Sequence, residues 1–127
     1  MAIRDAVART QTVIKGAAAA AIIAGAVFAF GGNAFAASCF NQLNSVINNW
    51  GISVSGYWTV NNGTISYGNT SYGEYAIYPL SWEGTYSGWA YQGSTSGEAQ
   101  ATGLLVESVA GVIIAESTQS VYCNATA

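Results

Sequence analysis

From Gly51 onward, apolar side chains fall on every second position. In ISVSGYWTV (residues 52–60), Ile52, Val54, Trp58 and Val60 lie on one side, with Ser53, Ser55, Tyr57 and Thr59 on the other. That is the period of a half-buried strand. Asn62-Gly63 follows, a dipeptide that tolerates the two positive φ angles of a type I′ hairpin turn. With those two residues as the loop, the predicted register sets Asn61 opposite Thr64, Val60 opposite Ile65 and Trp58 opposite Tyr67. Apolar residues then stay on one face of both strands. Further strands are predicted over Glu74–Tyr78 (ended by Pro79, the only proline), Thr85–Tyr91, Glu98–Val106, Val109–Ala115 and Thr118–Cys123, with GSTSG at 93–97 as a turn. Residues 104–115 are apolar on both sides, which fits central buried strands or an intervening helix; their β-branched content favours strands.

Upstream the period lengthens. Phe40, Leu43, Ile47 and Trp50 recur at steps of three and four, and Gly51 stands where a helix-ending glycine belongs. The pattern predicts a short amphipathic helix over Ser38–Trp50. Before it lies an uncharged apolar run, Ala17–Phe30. The expected fold is mainly β: a small antiparallel sandwich or sheet of about six or seven strands with a short N-terminal helix, preceded by a hydrophobic signal or anchor helix. Residues 1–36 form the export segment, or contain a retained hydrophobic helix over 17–36, and residues 37–127 form the β domain.

Three readings of residues 15–39 compete. Arg4, Arg9 and Lys15, then the apolar run, then Ala34-Phe35-Ala36 make the three parts of a secretory signal cut after Ala36. The run is short for a permanent membrane span, which needs roughly 20 strongly apolar residues. Lys15-Gly16 before an apolar stretch resembles the processing site of type IV-like prepilins. That resemblance implies a cut after Gly16 and a retained apolar helix in a filament core, although Ala21 stands where bacterial pilins carry Glu. Ala36-Ala37-Ser38-Cys39 resembles a lipobox, with Ala in place of the favoured Leu, and implies a lipid-anchored Cys39.

Charge is unevenly placed. Arg4, Arg9 and Lys15 are the only basic residues, and after residue 37 the only charged side chains are Glu74, Glu83, Glu98, Glu107 and Glu116. Without Lys or Arg, that part has nothing to bind the phosphates of nucleic acid or anionic lipid heads. Contact with a membrane is expected only through the N-terminal segment. The chain has no His, so the usual base for a Ser or Cys nucleophile is missing and no zinc ligand set exists. No catalytic residue, metal or cofactor is expected. A pair of glutamates acting on a glycoside is the one enzymatic chemistry left, with Glu83 its first candidate. An ordinary solvated glutamate explains that residue more simply.

Cys39 and Cys123 stand at the two ends of the domain. An even pair in an exported chain reads as a disulfide. Closing a loop of about 85 residues restricts the unfolded chain by about 4–5 kcal/mol on the chain-entropy argument. Aromatic residues crowd positions 57–91. They serve as β-domain core, as a subunit interface, or as a glycan-stacking platform, with Trp58, Trp82, Trp89, Tyr86 and Tyr91 the candidates for the last two. Tyr86 to Gly93 (YSGWAYQG) also resembles, in one degenerate copy, the Y-x-x-x-x-Y-x-G pattern of βγ-crystallin Greek keys. Sequons occur at Asn62, Asn69 and Asn124 and permit glycosylation. The expectation is an exported, non-enzymatic, extracellular or cell-surface domain that assembles with itself; the alternative is a soluble secreted module such as a glycan binder, inhibitor or bacteriocin-like toxin.

Overall fold

The computed structural model describes residues 6–8, 12–15 and 34–127. Short strands β1 (Ala6–Ala8) and β2 (Thr12–Lys15) precede six long ones: β3 (Ala34–Ser45), β4 (Trp50–Asn61), β5 (Thr64–Ala76), β6 (Leu80–Gln92), β7 (Ser96–Val109) and β8 (Val112–Thr126). All pair antiparallel. The first sheet runs β3-β4-β5, with β1 and β2 both on the outer edge of β3, and the second runs β6-β7-β8. Among the described residues there is no helix. The apolar run 17–30 and the cut after Gly16 fall outside the described residues. Ala36, the other candidate cut, lies in β3 opposite Thr59.

The hairpin follows its alternation closely. Asn61 pairs with Thr64, Val60 with Ile65 and Trp58 with Tyr67. Asn62 and Gly63 both have positive φ, 52° and 76°, as a type I′ turn demands. Glu74–Tyr78 is not a separate strand, since β5 runs unbroken to Ala76. The apolar run 104–115 folds back on itself at Ala110 and Gly111, whose φ values of 53° and 79° make a second tight turn. The separate strands expected at 109–115 and 118–123 are the single strand β8.

Ser38–Trp50 is not a helix. It is most of β3 and the turn into β4. Ala37, Cys39, Asn41, Leu43 and Ser45 alternate toward the second sheet, and the polar Asn41 and Ser45 disguise that alternation. Asn41 donates its amide to the carbonyl of Tyr122 at 2.8 Å. The Ser45 hydroxyl donates to Asn49 Oδ1 and accepts from the Asn49 backbone N–H at 2.9 Å. Each polar group is satisfied where it is buried, so neither drives the segment out of the sheet.

The inward rows of the two sheets meet across a common core. Ala37, Cys39, Ile52, Val54, Trp58, Val60 and Ile65 of the first pack against Ala99, Ala101, Val121, Cys123 and Ala125 of the second. A smaller cluster of Trp50, Leu80 and Leu105 continues the core toward the β3–β4 turn. Small residues on β7 and β8 leave room for the large rings opposite, the interdigitation that close packing requires.

Candidate assembly surfaces

The residues singled out in the sequence divide into core and surface. Cys39 and Cys123 form a disulfide, 2% and 0% exposed, which ties β3 to β8. A buried disulfide is consistent with an extracellular or otherwise oxidising environment. Trp58 is 2% exposed and donates its indole N–H to the carbonyl of Thr126 at 3.1 Å. Trp82 and Trp89 are half-buried on β6 and reach across to β5. They donate to the carbonyls of Tyr75 and Gly68, each at 2.8 Å. Between them Thr70 and Ser87 share a hydrogen bond of 3.0 Å. The rings are also engaged: Trp50 meets Trp82 edge to face at 5.8 Å, and Tyr67 meets Trp89 at 4.7 Å. These tryptophans therefore close the seam between the sheets. Tyr86 and Tyr91 stand free, both 58% exposed.

Tyr86 and Tyr91 share the outer face of the second sheet with Tyr122, Glu83, Glu98 and Glu116, as the strand register dictates. Polar side chains knit this face. Gln100 donates to Thr102 and Tyr122, and Thr102 hydrogen-bonds Ser120 at 2.9 Å. A hollow of about 440 Å³ beside it is lined by Glu83, Gly84, Thr102, Gly103, Leu104 and Thr118. It holds one carboxylate, whereas glycoside hydrolysis uses two. Among the described residues no group of three or more His, Cys, Asp or Glu could hold a metal ion. The sequon asparagines Asn62, Asn69 and Asn124 are all exposed.

The two ends of the molecule differ in chemistry. One end carries the Asn62-Gly63 turn, the 93–95 turn and the C-terminus, and is polar. Its parts are joined by Ile65 N–H to Ser94 O at 2.9 Å and Ala127 N–H to Thr95 O at 3.0 Å. Tyr67 closes it, its hydroxyl 2.6 Å from Gly93 O and 2.9 Å from Ser96 O. Burial of that phenol raises its pKa above the ordinary 10.0, and the neighbouring Tyr91 raises it further.

The opposite end is apolar and exposed. Val46 and Ile47 occupy the β3–β4 turn, 54% and 65% exposed, and Ile77 and Tyr78 the β5–β6 turn, 58% and 83% exposed. Val109, Val112, Ile113 and Ile114 form the tip of the β7–β8 hairpin, each between 48% and 62% exposed. Backbone hydrogen bonds hold the three turns together, Ile77 N–H to Asn49 O at 2.9 Å and Ser108 N–H to Pro79 O at 3.0 Å. Grouped apolar exposure of this kind is what interaction surfaces present. Residues 104–115, whose pattern fits central buried strands or an intervening helix, divide in two: Leu105 and Val106 are buried in β7, while Val109, Val112, Ile113 and Ile114 reach solvent at the hairpin tip. The available signal was Gly111, placed where the run could turn and pair Val109 with Val112.

Compared with known proteins, no family model matches this chain, and neither a curated protein nor a solved structure matches it.

Proposed function

We propose that this chain is an exported structural subunit of a cell-surface or filamentous assembly, built by association of its own copies. The observation that carries this reading is the apolar end, eight exposed aliphatic or tyrosine side chains brought together by three separate turns. A surface of that kind left in water favours association, because burying apolar area is the main favourable term in forming an interface. After residue 37 the only charges are five glutamates, none of them among the eight side chains of the apolar end, so a contact made through those side chains buries no charge of its own. The role needs no catalytic group, cofactor, metal or nucleic acid, which accords with a domain that has no Lys, Arg or His after residue 37. Electron microscopy of the producing cells, with sedimentation of the purified full chain, tests it. Filaments or large assemblies are expected; a chain that stays monomeric at high concentration on bare cells rejects it.

A second reading is favoured by the outer face of the second sheet. Tyr86 and Tyr91 offer exposed rings beside the Gln100, Thr102 and Ser120 polar network, the pairing of stacking planes and hydrogen bonds that a sugar uses. Under this reading the chain is a soluble secreted glycan-binding module. Glycan-array binding lost on Tyr86→Ala or Tyr91→Ala would establish it, and an array without signal would remove it.

A further inference from the structure

Residues 16–33 are the second apolar feature of the chain, and they attach at the polar end. Lys15 pairs with Ala37 and β3 begins at Ala34, so both ends of this 18-residue connection are held beside the start of β3. It contains no charged residue. The apolar end lies at the far end of β3, beyond Ser45. A strand of 12 residues covers about 40 Å at about 3.3 Å per residue. A loop of 18 residues held at both ends reaches outward at most about 30 Å, half its extended length. With the chain uncut at Gly16, this segment touches its own apolar end only when drawn out nearly straight in both directions, and so cannot lay its apolar residues over it.

We infer that the apolar end of one copy receives residues 17–33 of the next copy, giving a head-to-tail chain of subunits. The inference rests on the self-assembly reading above and names its two surfaces and their direction. Two different patches at opposite ends make a heterologous contact, and a heterologous contact that does not close into a ring propagates as an open filament. The eight side chains of the apolar end and residues 17–33 carry no charge, so packing one set on the other buries no charge of their own. A symmetric contact between two apolar ends would use the same surface but stop at a dimer.

The experiment is complementation between two variants of the full chain. Ile113→Asp, with Ile47→Asp as a second variant in another turn, places a charge on the apolar end. Both positions are more than half exposed, so the core is untouched, and retention of the Cys39–Cys123 disulfide reports folding. Ile23→Asp places a charge in the donating segment. Each variant alone is expected to raise the concentration needed for assembly by about tenfold or more. An equimolar mixture of Ile113→Asp and Ile23→Asp is expected to form heterodimers and no longer species, since one intact end meets one intact segment. Assembly of Ile113→Asp and Ile47→Asp like the unaltered chain overturns the inference. So does loss with those variants but not with Ile23→Asp, which indicates apolar ends pairing with each other. Assembled subunits whose mass begins at Ala37 also overturn it, because the donor is then gone. An unaltered chain that does not assemble rejects the self-assembly reading itself, a result distinct from these.

Discussion

Tyr67 shows how one side chain sets several others. Its hydroxyl gathers the carbonyls of Gly93 and Ser96, its ring stacks edge-on against Trp89, and Gly97 lies under it. A Cβ on Gly97 would stand 2.3 Å from the Tyr67 oxygen, so Gly97→Ala forces the ring aside and is expected to cost about 1–3 kcal/mol. Gly63 is glycine for the other reason, its φ of 76° with open space around it; Gly63→Ala is expected to cost about 1–2 kcal/mol. Urea unfolding of the two variants, and of Gly97→Ala combined with Tyr67→Phe, checks both. The combination should fall short of additivity, because removing the oxygen relieves part of the clash. Tyr67→Phe alone should lose about 1 kcal/mol at neutral pH. The raised pKa of Tyr67 also gives a signed pH effect. Folding favours its neutral form, so that contribution is full below the ordinary 10.0 and fades as pH rises through the higher folded-state value. Stability of the unaltered chain should therefore fall more steeply above pH 10 than that of Tyr67→Phe, as read from urea midpoints across an alkaline series.

At the scale of elements, two seams hold the sheets together by different means. On one side the disulfide joins β3 to β8 across 84 residues of chain, and Asn41 and Trp58 add hydrogen bonds to Tyr122 and Thr126. Cys39→Ala with Cys123→Ala is expected to lower unfolding free energy by about 4–5 kcal/mol on the chain-entropy argument, measured as a drop in urea midpoint. On the other side no disulfide links β5 to β6; Trp82, Trp89 and the Thr70–Ser87 pair hold them together. Trp82→Phe should cost about 1 kcal/mol or more, for the lost donor and the smaller ring. The β4–β5 hairpin was readable along the chain because turn chemistry and alternation agree over neighbouring residues. Strand β3 was not, because the partner that makes an inward Asn41 tolerable is a carbonyl 81 positions away. The aromatic cluster posed a similar difficulty, since composition shows that rings are present and not which of them face the opposite sheet.

For the whole molecule, the contrast between a polar end and an apolar end is the property on which the proposed self-assembly rests. An association driven by apolar burial should be insensitive to sodium chloride at moderate concentration and strengthened by sulfate, which is excluded from protein surfaces. Light scattering of the full chain across both salts checks this; assembly dissolved by added sodium chloride would indicate a charge-driven contact instead.

The amino-acid sequence by itself determined the strand period, the Asn62-Gly63 hairpin and its register, the presence of two cysteines able to pair, and the lack of cations after residue 37. Those are properties of adjacent residues or of simple counting. Tertiary structure alone decided that β3 is a strand, that Trp58 is buried while Tyr86 and Tyr91 stand in solvent, and that three turns far apart in sequence converge on one end. The physical reason is the same each time. Whether an apolar or polar side chain is satisfied depends on what stands opposite it, and in two sheets that pack across a core the opposite residue usually comes from a distant part of the chain.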